Sequence, residues 1–415
     1  MSLIRPFAAL RPVAKYSQDV VAPPYDVLNT AEARQRAQGR PRSFLHISKP
    51  EIDLPEGTDP YAAEVYAKGA ANLQRLIDEK ILFREKSPCY YFYRLVMGEH
   101  EQTGLVAVGS VADYDTNRIR KHEFTRPDKE DDRVRQIDAL NAQTGPVFLT
   151  YRQNATVDSL ASKITATTPE YDLKADDGVQ HTMWVVNNAA DITLLTDTFD
   201  AMNCLYIADG HHRSAAASRV AAMRRQSGTA TMASDYFLSV IFPDNQMKIL
   251  DYNRVIKDLN GKNQQQFLEA VEKIFTVKQS ANPVSPATTA EFGMYLPGQW
   301  YKLNIQKALI PGEDDPVGRL DVSLLQNNLI APVLGIDNPR VDKRIDFVGG
   351  IRGLGELEKR VNSGEMAVAF SLHPTRMEDL MAVADANEVM PPKSTWFEPK
   401  LADGLVSHVL DEKGC

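Results

Sequence analysis

The sequence predicts a mixed α/β protein built in two parts, and three observations support this class. Apolar, β-branched runs alternate irregularly with helical segments over the first two-thirds of the chain. A segment with Pro283 and Pro286 among small polar residues, 279–289, has the composition of a linker. A strand, turn, helix and strand pattern then begins again. We therefore expect an α/β domain over residues 1–280 and a second α/β domain over 290–415 that packs back on the first.

The elements of the first domain follow from periodicity and composition. Prolines in residues 6–27 favour an extended segment that wraps the domain. Residues 61–82 carry apolar side chains at helical spacing, which predicts an amphipathic helix. Aromatic and β-branched runs predict strands, and helical segments separate several of them. The expected strands are 90–96, 105–111, 147–151, 182–186, 205–208 and 236–242, and the further expected helices are 133–142, 214–225 and 264–274.

The second domain repeats this alternation. Residues 345–348 and 366–372 are predicted to be strands, joined through a Gly349-Gly350 turn and a helix over 354–361. Thr375 and Glu378 then have the spacing of a capping box that opens another helix.

Composition excludes several classes of protein. Hydrophobic residues make up 43% and charged residues 25%, which is ordinary for a globular protein. The formal net charge of -8 argues against broad nucleic-acid binding, which needs a basic surface. We see no apolar run long enough to span a membrane and no secretory signal in residues 1–14. Cys89, Cys204 and Cys415 show no zinc or disulfide spacing, so we expect a cytoplasmic protein with reduced thiols.

The run Asp209-Gly210-His211-His212-Arg213 lies between an apolar strand and an alanine-rich helix that starts near Ser214. Such a turn points backbone N–H groups and the positive end of a helix dipole at its mouth, which favours a phosphate. Arg213 can add a bidentate grip, a histidine can act as a general acid, and Asp209 can orient an imidazole, bind magnesium or act as a base. The alternative is that Asp209 caps the helix, Gly210 makes the turn and the histidines fill polar space. We favour the functional interpretation, because five polar or permissive residues concentrate between apolar elements.

A second polar run begins at Lys121 and includes His122, Glu123 and Arg126, with Arg133 following on the next helix. Glu123 is a candidate general base toward a hydroxyl group, while Lys121, Arg126 and Arg133 are candidates for holding anionic oxygens. A solvated, charged loop explains the same pattern equally well.

A third candidate lies near the carboxy terminus. Lys393, Ser394 and Thr395 follow two prolines and are able to contact a phosphate. We slightly favour the alternative, in which this segment is a structural cover with Trp396 and Phe397 as core anchors.

Five motifs occur in order along the chain: Ala22-Pro-Pro-Tyr-Asp-Val27, Lys121-His-Glu-Phe-Thr125, Ala208-Asp-Gly-His-His-Arg213, Arg344-Ile-Asp-Phe-Val348 and Pro391-Pro-Lys-Ser-Thr-Trp-Phe397. Together they resemble the bacterial and archaeal family called domain of unknown function 1015, over a span from Pro6 to about Val409. The Asp-Gly-His-His-Arg run is also similar to the phosphate-handling turn of the superfamily that contains ParB, sulfiredoxin and free-serine kinases. This resemblance implies a ParB/sulfiredoxin-like core with a mixed sheet, and a nucleotide or pyrophosphate site.

The resemblance also implies an activity, namely transfer of a phosphoryl group to a small hydroxyl compound. L-serine is the first candidate acceptor, and the reverse direction, phosphoserine metabolism, stays open. In this interpretation Gly210, His211, Arg213 and Ser214 bind the donor phosphates, and Glu123, Asp209 and His212 are catalytic. The donor is a nucleotide or pyrophosphate, and phosphoryl transfer of this kind implies Mg²⁺.

Two other functions remain open from the sequence. A ParB-like regulatory protein would use the same turn to bind a nucleotide without catalysis, although the acidic composition counts against DNA as a partner. A metal-dependent phosphohydrolase would place His211, His212 and Asp209 around one ion, but neighbouring helical residues diverge. The chain has no Walker-type phosphate loop and no protein-kinase signature, and its oligomeric state is not predicted.

Overall fold

The computed structural model describes residues 2–412, which form two compact units. The first unit runs up to Met247 and resumes at Pro399, and the second unit is Lys248–Glu398. Both contain helices and strands, so the predicted mixed α/β class is confirmed. The division differs from the expected boundary at 280–290, because residues 279–289 connect two strands of one sheet inside the second unit. None of the helices in residues 2–412 is long and apolar enough to cross a membrane.

The elements of the first unit largely match the expected segments. Its helices are α1 Ser17–Val20, α2 Thr30–Ala37, α3 Leu45–Ser48, α4 Ala63–Asp78, α5 Val111–Asp115, α6 Pro127–Leu140, α7 Ala155–Thr165, α8 Ala189–Asp200 and α9 His211–Ser227. Its strands are β1 Ile4–Arg5, β2 Leu10–Pro12, β3 Leu82–Arg84, β4 Tyr90–Met97, β5 His100–Ser110, β6 Ile119–Arg120, β7 Ala142–Gln143, β8 Val147–Tyr151, β9 Tyr171–Lys174, β10 Gln180–Val186, β11 Leu205–Asp209 and β12 Tyr236–Pro243, and the unit also contains the later strand His408–Val409.

A large mixed sheet forms the centre of the first unit. Its strand order is β6-β11-β8-β12-β5-β4-β10-β9, and β1 pairs with β5. The central strands β8 and β12 are buried along their whole length, because helices and loops cover both faces of the sheet. Large apolar side chains from these strands, with Phe199 of α8 and Ala221 of α9, form the main hydrophobic core. This rigid sheet positions the loops at its edges.

One edge of this sheet brings together three chain segments that are distant in sequence. Strand β11 runs parallel to β6 and antiparallel to β8. The carboxyl ends of β6 and β11 therefore lie at the same edge as the amino end of β8. The segment after β6 begins with Lys121, the segment after β11 is Gly210, and the segment before β8 contains Pro146. In open α/β sheets this kind of edge is the usual position for ligands.

The amino-terminal and carboxy-terminal segments of the first unit are paired with each other. Leu10 and Ser407 form an antiparallel bridge, and Ala22 and Asp403 form a second one. The amide of Ala22 donates to the carbonyl of Asp403 at 3.1 Å, and the amide of Asp403 donates back at 2.9 Å. The proline-rich segment is not extended throughout as expected, because it contains the short helix α1, but its backbone holds the returning chain in place.

The second unit contains an antiparallel sheet and a smaller ribbon. Its helices are α10 Gln264–Glu272, α11 Asp321–Leu325, α12 Leu354–Asn362 and α13 Met377–Asp385, with a π-helical turn at Gln326–Ile330. Its strands are β13 Lys248–Leu250, β14 Tyr252–Ile256, β15 Phe275–Ser280, β16 Glu291–Leu296, β17 Gln299–Ile305, β18 Ile345–Gly349, β19 Val368–Leu372 and β20 Trp396–Glu398, and the strand at His408–Val409 is β21. The larger sheet has the order β15-β17-β16-β19-β14-β18, and β13 pairs with β20.

The expected capping box at Thr375 is not formed. Helix α13 starts after Arg376, which makes no side-chain capping hydrogen bond. The Thr375 hydroxyl instead donates to the Ser394 carbonyl at 2.8 Å. A tertiary hydrogen bond has replaced the local one that the spacing suggested.

Candidate functional site

The Asp209–Arg213 run forms a strand-to-helix turn, as expected from the sequence. Strand β11 ends at Asp209 and helix α9 begins at His211. Gly210 lies between them with φ 100° and ψ 27°, a left-handed conformation that a glycine adopts without steric cost. The amides of Arg213 and Ser214 both donate to the Gly210 carbonyl, at 2.9 and 3.1 Å. The positive end of a long helix dipole therefore starts directly at the sheet edge.

Asp209 is held between two cations at the mouth of this turn. Its Oδ2 atom lies 3.3 Å from Nζ of Lys400 and 3.8 Å from Nη2 of Arg213. Burial alone would raise the pKa of Asp209, but the charges of Lys400 and Arg213 outweigh it and lower the pKa well below its ordinary value. Asp209 is therefore a carboxylate at all physiological pH values, and its negative charge is already compensated within the protein.

Arg213 lies in the interior behind the turn. Its side chain is buried, and its Nη1 atom donates to the carbonyl of Pro146. A Cβ atom on Gly210 would come within 3.0 to 3.2 Å of the guanidinium group, which shows how closely the group packs under the turn. Burial lowers the pKa of Arg213, but the charges of Asp26, Asp209 and Asp403 raise it above its ordinary value. Arg213 is permanently charged and supports the turn from behind.

A small cavity of about 30 Å³ lies beside Arg213 and is lined by both polar and apolar side chains. Arg133, Tyr25 and Asp403 contribute to its wall. The Oδ1 atom of Asp403 is buried and has no hydrogen-bond partner among the described residues. Burial raises the pKa of Asp403 to about 7, although Arg213 lowers it. A cavity of this size and polarity is suited to an ordered water molecule.

His211 connects the helix start to the segment that follows β6. Its Nε2 atom accepts the backbone N–H of His122 at 3.3 Å, and its ring packs edge-on against the His122 ring at a centroid distance of 4.5 Å. Burial lowers the pKa of His211 well below its ordinary value, so the ring is neutral. A neutral ring that accepts at Nε2 carries its proton on Nδ1. That Nδ1 atom lies 3.7 Å from Oε2 of Glu123, a half-exposed carboxylate.

His212 makes a matching contact further along the same segment. Its Nε2 atom accepts the backbone N–H of Arg126 at 3.1 Å. Burial lowers the pKa of His212 as well. The two adjacent histidines point to different residues of one loop and hold it against the amino end of α9. This geometry gives His212 a positioning contact, and its Nε2 lone pair is already used.

The other residues predicted to bind phosphate have partners of their own. The Lys121 ammonium donates to the Tyr114 carbonyl at 2.8 Å and lies 4.0 Å from the centre of the Tyr114 ring. Arg126 forms a forked pair with Asp128, at 3.2 and 2.7 Å. Ser214 is buried, and its hydroxyl donates to the His211 carbonyl at 3.0 Å.

Arg133 is also engaged. It donates twice to Oδ2 of Asp132, at 3.0 and 2.7 Å, and stacks 3.9 Å from the centre of the Tyr25 ring. Arg133 and Arg213 line the same small cavity beside the turn. Glu123, in contrast, contacts the turn at His211.

The Lys393–Thr395 segment belongs to the second unit. Phe397 is buried in that unit, as expected of a core anchor, whereas Trp396 is only partly buried. Ser394 is also buried, and its hydroxyl donates to the Pro391 carbonyl at 2.7 Å within its own turn. The predicted role of this segment in phosphate contact stays a prediction.

Sequence reasoning missed four residues that surround Arg213 and Asp209. They are Tyr25, Asp26, Lys400 and Asp403. The sequence held a signal for three of them. Tyr25 and Asp26 lie in the Ala-Pro-Pro-Tyr-Asp-Val motif, and Lys400 follows a proline-rich motif. Nothing in their spacing indicates that the chain returns to the first unit at Pro399.

The histidine and carboxylate side chains do not form a metal cage in the described part of the chain. Within residues 2–412, no group of three His, Cys, Asp or Glu side chains is arranged to hold a metal ion. His211 and His212 both use Nε2 to accept backbone N–H groups and face different partners. Mg²⁺ bound to donor phosphates would need only one or two protein carboxylates, and Asp209 and Glu123 are two carboxylates of this edge.

Comparison with known proteins identifies a family. The model of the family described as protein of unknown function (DUF1015) matches residues 4–323, well over half of the chain. No protein with a curated description matches.

Among solved structures, a conserved hypothetical protein from Pyrococcus furiosus is 14% identical over 72% of this chain and 94% of its own, with a TM-score of 0.35. A free serine kinase in complex with AMP is 12% identical over 75% and 92%, with a TM-score of 0.36. SbnI from Staphylococcus aureus, truncated at its carboxy terminus, is 12% identical over 72% and 86%, with a TM-score of 0.39. From the extent of the family match, this chain belongs to the DUF1015 family.

Proposed function

We propose that this protein transfers a phosphoryl group from a nucleotide or pyrophosphate to the hydroxyl group of a small molecule, with L-serine as the first candidate acceptor. One observation carries the proposal. The first residue of helix α9, His211, places its Nδ1 atom 3.7 Å from the Glu123 carboxylate. An anion-binding helix start and a candidate general base therefore lie one imidazole ring apart.

The helix start supplies the electrostatics for the donor. The N–H groups of the first turn and the helix dipole favour the negative charge of a phosphate. Lys400 and Arg213 add two positive charges, and Asp209 offsets part of them. A site of this composition suits an anion whose charge increases on the bridging oxygen during transfer.

Glu123 is the group that we propose to activate the acceptor. Its carboxylate takes the proton of the substrate hydroxyl while the hydroxyl oxygen forms a bond to the terminal phosphorus. The bond from that phosphorus to the bridging oxygen breaks, and its electron pair leaves with the remaining nucleotide or phosphate. The neutral His211, with Nδ1–H toward Oε2, orients the carboxylate and stays neutral throughout. Mg²⁺, when bound to the donor phosphates, would neutralise charge on their oxygens.

The test is phosphoserine formation by the purified protein with L-serine and Mg²⁺, run separately with ATP, ADP and pyrophosphate. Glu123→Gln keeps the shape of the side chain but removes the base, so we expect kcat to fall by about 10²- to 10⁴-fold while donor binding, measured by calorimetry, is retained. Glu99→Gln, in the exposed β4–β5 turn, is the matched control and should keep full activity. Equal activity of both variants would contradict the role of Glu123.

The second hypothesis, a regulatory nucleotide-binding protein, makes a different prediction. It expects a saturable heat of nucleotide binding that Arg213→Ala weakens, and no turnover with any donor or hydroxyl acceptor. The helix start and the paired cations support binding in either case, whereas the Glu123–His211 pair favours the catalytic hypothesis.

A further inference from the structure

The second unit contains a buried cation without a carboxylate partner. Arg254, on strand β14, is 4% exposed. Its guanidinium donates to the carbonyl of Tyr252, and its Nη2 atom donates to the carbonyls of Pro392 and Lys393, at 3.4 and 2.9 Å. These acceptors satisfy hydrogen bonds but do not cancel the charge. In the described part of the chain, no carboxylate forms an ion pair with Arg254.

A second cation lies on the turn that Arg254 supports. Lys393 is exposed, and its ammonium lies 5.6 Å from the centre of the Tyr252 ring. The Arg254 guanidinium lies 6.0 Å from the centre of the same ring. No ion pair forms between Lys393 and a carboxylate of residues 2–412. Two positive charges thus flank one aromatic ring, an arrangement that favours a bound anion.

The backbone of the turn adds directed N–H groups. A peptide unit is planar, so the N–H of Lys393 points away from the Pro392 carbonyl, which faces Arg254. The N–H of Thr395 likewise points away from the Ser394 carbonyl, which accepts from Thr375. Lys393 also has φ 58°, a left-handed conformation that turns successive N–H groups toward one side of a loop. Arg254 and Thr375 hold carbonyls of this turn, so the amides of Lys393 and Thr395 point away from these two side chains.

We infer that the 392–395 turn is an anion site for a phosphate group. Lys393 and the turn amides contact the ligand, and Arg254 is a positioning residue that holds the turn carbonyls and adds a buried positive charge. The partly buried rings of Phe347 and Trp396, which pack edge-on against Tyr252 at centroid distances of 6.1 and 5.1 Å, border the same turn. This inference concerns the second unit alone and does not depend on the activity proposed for the first unit.

The test uses the full chain labelled with [15N]lysine and titrated with pyrophosphate. The amide resonance of Lys393 is identified as the one lost in Lys393→Ala. We expect this resonance to shift saturably, and more weakly at high salt because the attraction is electrostatic. Lys80 is the matched internal control, since it is an exposed lysine with a φ of 56° in the other unit. A Lys393 resonance that moves no more than that of Lys80 would overturn the inference.

A second label is needed because Lys393→Ala removes the Lys393 resonance that reports binding. With [15N]tryptophan, the Trp396 resonances report on the same turn. Their shift should require at least tenfold more pyrophosphate in Lys393→Ala, and should be unchanged in Lys80→Ala. The Glu123→Gln variant should retain the Lys393 shift, so an absence of phosphotransferase activity would leave this result standing. Unchanged affinity at Trp396 in Lys393→Ala would count against the site.

Discussion

Replacing Gly210 with alanine tests how the turn is built. With φ 100° the position is costly for any residue with a Cβ atom, by about 1–2 kcal/mol. The new Cβ would also lie 3.0 Å from Nε of Arg213, so the buried guanidinium must move against its hydrogen bond to Pro146. A weakened hydrogen bond of a charged group adds about 1–2 kcal/mol. We therefore expect Gly210→Ala to lower the local unfolding free energy by about 2–4 kcal/mol.

The same helix supplies the control for this prediction. Gly228 ends α9 with φ 72°, and no atom lies within 4 Å of a Cβ built there. Gly228→Ala therefore carries the conformational cost alone, about 1–2 kcal/mol. Because the two units need not unfold together, the measurement is native-state hydrogen exchange on peptides from β11 and α9. Equal costs at the two glycines would refute the packing of Arg213 under the turn.

Two further predictions concern titration and loop order. Burial raises the pKa of Asp403 from 3.8 to about 7, so between these pH values the folded state holds a proton that the unfolded state releases. The resulting contribution to stability is fully present below pH 3.8 and is lost as the pH rises to about 7. Asp403→Asn should remove this decline in hydrogen-exchange protection of the first unit, and an unchanged pH profile would contradict it. For His212→Leu, loss of the acceptor for the Arg126 amide should speed exchange of that amide by about 2- to 12-fold. The His122 amide, which His211 accepts, should keep its rate, and a uniform change in both would argue against separate contacts.

The strand-to-helix turn was predictable because its signals are local. The apolar run before Asp209 and the alanine-rich run after Arg213 each favour one element, and the observed bounds differ from the expected ones by a few residues. Strand β8 was expected at the bounds observed, since a short apolar run between turn signals leaves little ambiguity. Helix α6 starts earlier than expected, because Pro127 is favourable in the first turn of a helix.

The unit boundary and the environment of Arg213 were not predictable, because both depend on long-range pairing. A proline-rich segment at 279–289 has the composition of a linker, yet it joins β15 to β16, two strands of one sheet that both pair with β17. The bridge between Ala22 and Asp403 joins residues from opposite ends of the chain, and no periodicity encodes it. The contact between His211 and Glu123 likewise requires the parallel register of β6 and β11.

The return of the chain to the first unit at Pro399 has a consequence for biosynthesis. Asp209 and Arg213 leave the ribosome before the whole second unit is made, whereas Lys400 and Asp403 follow it. Until then Asp209 lacks its contact with Lys400, Arg213 lacks the charge of Asp403 nearby, and the backbone partner of Ala22 does not yet exist. A nascent chain stalled anywhere within the second unit would present Asp209 and Arg213 without Lys400 and Asp403. The order of synthesis thus delays the contacts of Asp209 and Arg213 with Lys400 and Asp403 until the second unit has emerged from the ribosome.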